Sequence, residues 1–74
     1  MITDSQSANK ISELMLDVFS RIGQSAKSVR RDCPKDEAEK YLLAISKVAG
    51  AIVLDVLEPL YKEHPDLKPP DWGP

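Results

Sequence analysis

The sequence of 74 residues contains one cysteine and one histidine. A single cysteine excludes an internal disulfide framework and a zinc site built from cysteines, and a single histidine excludes metal sites that use several imidazoles. The chain also has neither a Gly-rich phosphate loop nor a nucleophile elbow. We therefore predict no catalytic residue, no cofactor and no bound metal, and we expect that the protein is not an enzyme.

The sequence also has a small net charge and no long apolar run. The formal net charge is -2, which gives no general attraction to nucleic acid or to an anionic membrane. The longest apolar run, residues 48–54, contains Gly50 and is ended by Asp55, whereas a membrane-spanning helix needs about 18 such residues. The polar N-terminus does not resemble a signal peptide. These features predict a soluble, cytoplasmic protein without a membrane partner.

The first helical pattern begins near Asp4 or Ser5, and either side chain can cap the start of a helix. Apolar residues then recur at steps of three and four, which is the spacing of a seam between two helices. Gly23 lies within this pattern. Glycine weakens a helix by ~1 kcal/mol relative to alanine, so Gly23 marks either close packing or a slight bend. We predict one long helix over roughly residues 5–31.

The segment 32–37 breaks the pattern. Pro34 suits the first position of a new helix, because its missing N–H costs nothing there. Acidic residues follow Pro34, where the helix dipole favours negative charge, and Arg30 and Arg31 precede it, where cations are favoured. A connection this short makes the two helices antiparallel neighbours.

The second helical pattern covers roughly residues 35–63. Pro59 should kink or end this helix, because it removes the hydrogen bond to the carbonyl of Asp55. Pro65 should end it, since the residue before a proline is pushed out of helical geometry. The two seams predict an all-α antiparallel hairpin with a core of apolar residues from both helices: Ile11, Met15, Val18, Phe19, Ile22, Leu42, Ile45, Ala49 and Val56.

The second helix carries more apolar surface than one neighbouring helix can cover. A helix that is apolar on most sides is usually buried all round, and small residues around Gly50 would let another backbone approach closely. We predict a homodimer that forms a four-helix bundle, although a different protein could cover the same surface. The predicted interface consists of Tyr41, Val48, Ala51, Ile52, Val53, Leu54, Leu57 and Leu60.

The remaining residues form a tail. We assign residues 1–64 to the hairpin and residues 65–74 to an extended Pro-rich segment that is not an independent domain. The tail contains Leu67 and the single tryptophan, Trp72. We expect these two side chains to anchor the tail on the bundle or on the partner subunit, or to serve as a recognition element for another protein.

Four basic residues surround Cys33 at the turn: Lys27, Arg30, Arg31 and Lys35. They offer an alternative function as a small nucleic-acid-associated regulator. The same cations favour the thiolate of Cys33, which would suit a thiol-sensitive switch. The principal prediction is a non-enzymatic helical interaction protein, namely a homodimeric adaptor, regulator or accessory subunit.

Overall fold

A computed structural model of the chain describes residues 1–72 and contains helices but no strand within that range. The first long helix is α1. The second is continuous, since α2 leads through one π-helical segment into α3, and a 3-10 turn follows it. The bounds are α1 Ser5–Asp32, α2 Lys35–Ala51, the π segment Ile52–Leu57, α3 Glu58–Glu63 and the 3-10 turn Pro65–Leu67. The predicted all-α hairpin with two long helices is therefore confirmed.

Helix α1 starts with a side-chain cap. The Asp4 carboxylate accepts hydrogen bonds from the Ser7 backbone N–H at 2.9 Å and from the Ser7 hydroxyl at 2.6 Å. These bonds satisfy a donor that the first turn of a helix leaves free. They also hold the pKa of the Asp4 carboxyl below its ordinary value, the hydroxyl contributing most, and the charge of His64 acts in the same direction.

The Asp4 cap predicts a specific pH dependence. Because the pKa of Asp4 is lowered in the folded chain, its contribution to stability is complete above the ordinary pKa and is lost as the pH falls through the lowered value. Asp4→Asn keeps a capping acceptor without the charge, so its melting temperature should approach that of the wild type as the pH falls from about 7 to about 3. Thermal unfolding followed by circular dichroism measures this gap.

Asp4→Ala serves as the matched control, because it removes the acceptor altogether. Its melting temperature should lie below that of Asp4→Asn at every pH, since alanine cannot cap the first turn. A constant gap between Asp4→Asn and the wild type across the pH series would contradict a charged cap.

The turn between the long helices is short. The Cys33 N–H donates to the Val29 carbonyl at 3.0 Å and closes α1, and the Ala38 N–H donates to the Pro34 carbonyl at 2.9 Å in the first turn of α2. Pro34 has an extended conformation and lies one position before Lys35, the first residue of α2. It is thus the N-cap and not the first helical residue that the sequence suggested.

The π segment explains why Pro59 does not end the second helix. In a regular α-helix the proline ring would clash with the Asp55 carbonyl. Here the Glu58 N–H donates to the Val53 carbonyl, five residues back, and the helix continues to Glu63. A π turn inserts one residue into a helix and is a common cause of bends. The helix therefore continues beyond Pro59, but the residues after the π turn face a different direction from the one that an unbroken α-helix would give them.

That change of phase alters which residues face α1. The buried positions step by five from Ile52 to Leu57, and Leu57 and Leu60 are fully buried. Val56, which we predicted in the hairpin core from an uninterrupted α-helical period, is only half-buried. The reason is the extra residue of the π turn, which brings Leu57 to the position that Val56 would occupy in an α-helix.

The core lies at the end of the hairpin far from the turn. It centres on Ile52, Leu57 and Tyr61. Partly buried residues pack against this cluster from α1 and from the tail: Met15, Leu16, Val18, Ile22, Leu67 and Trp72. Near the turn, in contrast, Ala38 is the one buried residue of α2. The two long helices thus share a filled core at one end and a more open contact at the other.

Candidate functional site

An apolar groove of about 270 Å³ runs between α1 and α2 on the half of the hairpin nearer the turn. Its walls follow helical periodicity, since the α1 residues are spaced by three or four positions and share one face. The lining residues are Phe19, Ile22, Gly23, Ala26 and Arg30 from α1, and Leu42, Ile45, Ser46 and Ala49 from α2. Five of the nine predicted core residues therefore line this groove.

Small side chains keep the groove open. A Cβ atom added at Gly23 would meet no heavy atom within 4 Å, so the chain itself leaves space above this backbone. Ala26 and Ala49 also contribute little volume. Phe19, which we predicted in the core, remains 41% exposed at the edge of the groove. Two helices alone do not close this side of the hairpin.

Several large apolar side chains remain exposed beside the groove and elsewhere on the hairpin. Leu43 is 66% exposed, Leu54 62% and Val48 50%. Leu43 precedes Ser46 by three positions, and Gly50 follows Ser46 by four, so both lie next to the α2 wall of the groove. An apolar groove with an exposed leucine beside it is a candidate binding site.

The predicted interface residues fall into two groups. Ile52, Leu57 and Leu60 are buried within this chain, and Ile52 and Leu57 belong to the cluster that packs against α1 and the tail. A second protein cannot reach these three side chains without opening the core. Tyr41 and Val53 are half-buried, and the rest are exposed: Val48, Ala51 and Leu54. Sequence periodicity could not separate these groups, because it does not show where the tail and α1 lie.

The tail packs against the end of the hairpin. Leu67 and Trp72 both contact the core cluster, and the Trp72 ring meets the Tyr61 ring edge-on, with centroids 5.5 Å apart and an interplanar angle of 79°. Such aromatic pairs are favourable because the positive edge of one ring faces the negative face of the other. Gly73 and Pro74, the last residues of the predicted tail, lie outside the described residues.

Two tyrosine–serine pairs link α1 to the second helix. The hydroxyls of Ser12 and Tyr61 are 2.6 Å apart and buried, and those of Ser25 and Tyr41 are 2.7 Å apart and partly buried. Sequence reasoning missed both pairs, since a serine contributes nothing to an apolar period. Within residues 1–72, no buried side-chain nitrogen or oxygen lacks a hydrogen-bond partner.

The basic residues at the turn do not form one uniform patch. The Arg31 guanidinium donates to both Asp32 carboxylate oxygens, at 2.9 and 3.1 Å, and this contact raises the pKa of Arg31 above its ordinary value. Arg30 lines the groove, and Lys27 and Lys35 are exposed. Cys33 is a half-buried free thiol.

The N-terminal segment lies against the end of the second helix. His64 Nε2 is 2.6 Å from the Ile2 carbonyl oxygen, and the Met1 ammonium is paired with the Glu63 carboxylate. Among the described residues, no three His, Cys, Asp or Glu side chains are placed to hold a metal ion together. None of the helices in this part of the chain combines the length and apolar character needed to cross a bilayer.

The groove and its exposed rim thus offer apolar contact, with one guanidinium and one hydroxyl at the edges. Such a surface can recognise another apolar helix face, because packing and removal of water from apolar area are its main sources of binding energy. Comparison with models of protein families, with curated proteins and with solved structures found no match for this chain.

Proposed function

We propose that this protein is a small, non-enzymatic helical interaction protein that works as a homodimer, in the role of an adaptor, regulator or accessory subunit. The observation that carries the proposal is the open apolar groove between α1 and α2, with the exposed Leu43 side chain next to its α2 wall. Apolar surface left in water favours association with another apolar surface.

The exposed area supports a partner of ordinary interface size. A compact monomer of 8.2 kDa is expected to expose about 4,500 Å², and this chain exposes 5420 Å². The surplus of about 900 Å² reflects the elongated shape of the hairpin, 44 × 21 × 16 Å, and leaves enough surface for the ~800 Å² that each partner buries in a standard interface.

A four-helix bundle would use this surface well. Helix α1 has 28 residues and is ~42 Å long at ~1.5 Å per residue, and the second helix runs antiparallel to it. Two such hairpins, placed groove against groove, give the usual arrangement of an antiparallel bundle. In that bundle the tail remains at the periphery, where it could bind further partners.

The molar mass in solution tests the proposal. Light scattering on a sizing column, over a series of concentrations, should give twice the chain mass of 8.2 kDa at micromolar concentration. Dissociation on dilution should follow mass action. A chain that stays monomeric across the whole series would contradict the homodimer and leave the groove to a different protein.

The basic turn and Cys33 do not enter the proposal. Arg31 is engaged by Asp32, and Asp36 and Glu37 lie in the first turn of α2 beside the same cations. This mixture of charges lacks the single-signed field that draws a protein to nucleic acid.

A further inference from the structure

We infer that the groove is the binding site for a second copy of this chain, with Leu43 of each protomer packed over Gly23 of the other. The inference rests on the proposed function. It adds which face of the hairpin the second copy covers and the register in which the two copies meet.

Projections and open positions both occur at or beside the groove: Phe19 and Gly23 line it, and Leu43 and Gly50 lie next to Ser46 on its α2 wall. Leu43 is 66% exposed and Phe19 is 41% exposed, so each projects from its own helix. Gly23 and Gly50 both have open space where a Cβ would stand. In a two-fold interface every projecting residue must find space on an identical surface, and a face with both features can meet this requirement.

The helical period then sets the register. If α2 of one protomer packs antiparallel on α1 of the other with Leu43 over Gly23, moving four residues along each helix brings Glu39 to Lys27. Moving four residues in the opposite direction brings Phe19 to Lys47, next to Ser46 on the groove wall.

Charge complementarity supports this register independently. Glu39 and Lys27 are both exposed, and within residues 1–72 neither takes part in an ion pair. The register places opposite charges together at the rim of the interface, where they favour correct alignment. The two-fold axis then runs along the helices, and both turns lie at the same end of the dimer.

Cysteine cross-linking tests the register. In a Cys33→Ser background, chains with Gly23→Cys are mixed with chains with Leu43→Cys, and the mixture is oxidised and separated on a non-reducing gel. We expect a covalent dimer from the mixture and little from either variant alone. A mixture of Gly23→Cys with Val48→Cys is the matched control, since Val48 is 50% exposed but lies five positions after Leu43 and therefore on a different side of α2.

Variants that disrupt the contact provide a second measurement. Leu43→Asp should raise the dissociation constant of the dimer at least about tenfold, whereas Val48→Asp should change it less than about threefold. Lys27→Glu and Glu39→Lys should each weaken the dimer, and the two together should recover most of the loss.

The outcomes separate this inference from the proposed function. A dimeric mass with equal cross-linking in the test and control mixtures would overturn the register and leave the homodimer standing. A dimer whose dissociation constant is unchanged by Leu43→Asp would also overturn the register and leave the homodimer standing. A monomeric mass would overturn both.

Discussion

Leu57→Ala is expected to lower the free energy of unfolding by about 2–5 kcal/mol. Leu57 is 0% exposed and belongs to the cluster with Ile52 and Tyr61 at the end of the hairpin. Removing its side chain loses the transfer free energy of the buried atoms and leaves a cavity that the surrounding helices fill only in part. Urea denaturation followed by circular dichroism measures the change.

Leu54→Ala is the matched control, because it deletes the same atoms from the same π segment at a side chain that is 62% exposed. Leu54→Ala should change the free energy of unfolding of the monomer by no more than about 0.5 kcal/mol. Leu57→Met, which nearly conserves volume, should cost less than about 1.5 kcal/mol and keeps the comparison measurable if Leu57→Ala does not fold. Equal costs at Leu54 and Leu57 would mean that the π turn does not set the phase described here.

A double-mutant cycle on Ser12 and Tyr61 is the second measurement with a large expected effect. The two hydroxyls are 2.6 Å apart and their residues are 3% and 5% exposed. Tyr61→Phe or Ser12→Ala leaves one buried hydroxyl without its partner, at a cost of about 1–3 kcal/mol. The double variant should cost clearly less than the two single variants added together, because it leaves no orphaned group.

The Ser25–Tyr41 pair gives the control for this cycle. Its hydroxyls are 2.7 Å apart but only partly buried, and the Ser25 hydroxyl also donates to the Ile22 carbonyl at 2.7 Å. Water can replace the lost partner there, so the coupling between Ser25→Ala and Tyr41→Phe should be smaller. Additive costs at Ser12 and Tyr61 would show that their hydroxyls do not depend on each other.

The bounds of the long helices could be predicted because their signals are local. Asp4 caps α1, Pro34 precedes α2, and Pro65 follows the end of α3. Each acts through its own backbone geometry or through a side chain that reaches a neighbour a few residues away. The predicted ranges therefore differ from the observed helices by about one residue.

The candidate site was predicted in part. Periodicity identified Phe19, Ile22 and Leu42 as facing the other helix, and these residues line the groove. It could not show that the helices leave this side open, because that depends on the small side chains opposite. The exposed Leu43 was absent from the predicted interface, although its position three residues before Ser46 places it next to the groove wall.

The sequence by itself determined that the chain is helical, where its two long helices begin and end, and that they fold back on each other. These features follow from periodicity and capping, which act within one or two turns. Only the tertiary structure decided which apolar residues are buried. A π turn before Pro59 moved the core from Val56 to Leu57, and α1 and the tail covered Leu57 and Tyr61 while the groove stayed open. The physical reason is that burial depends on what packs across from a residue, and contacts between distant parts of the chain leave no periodic signal in it.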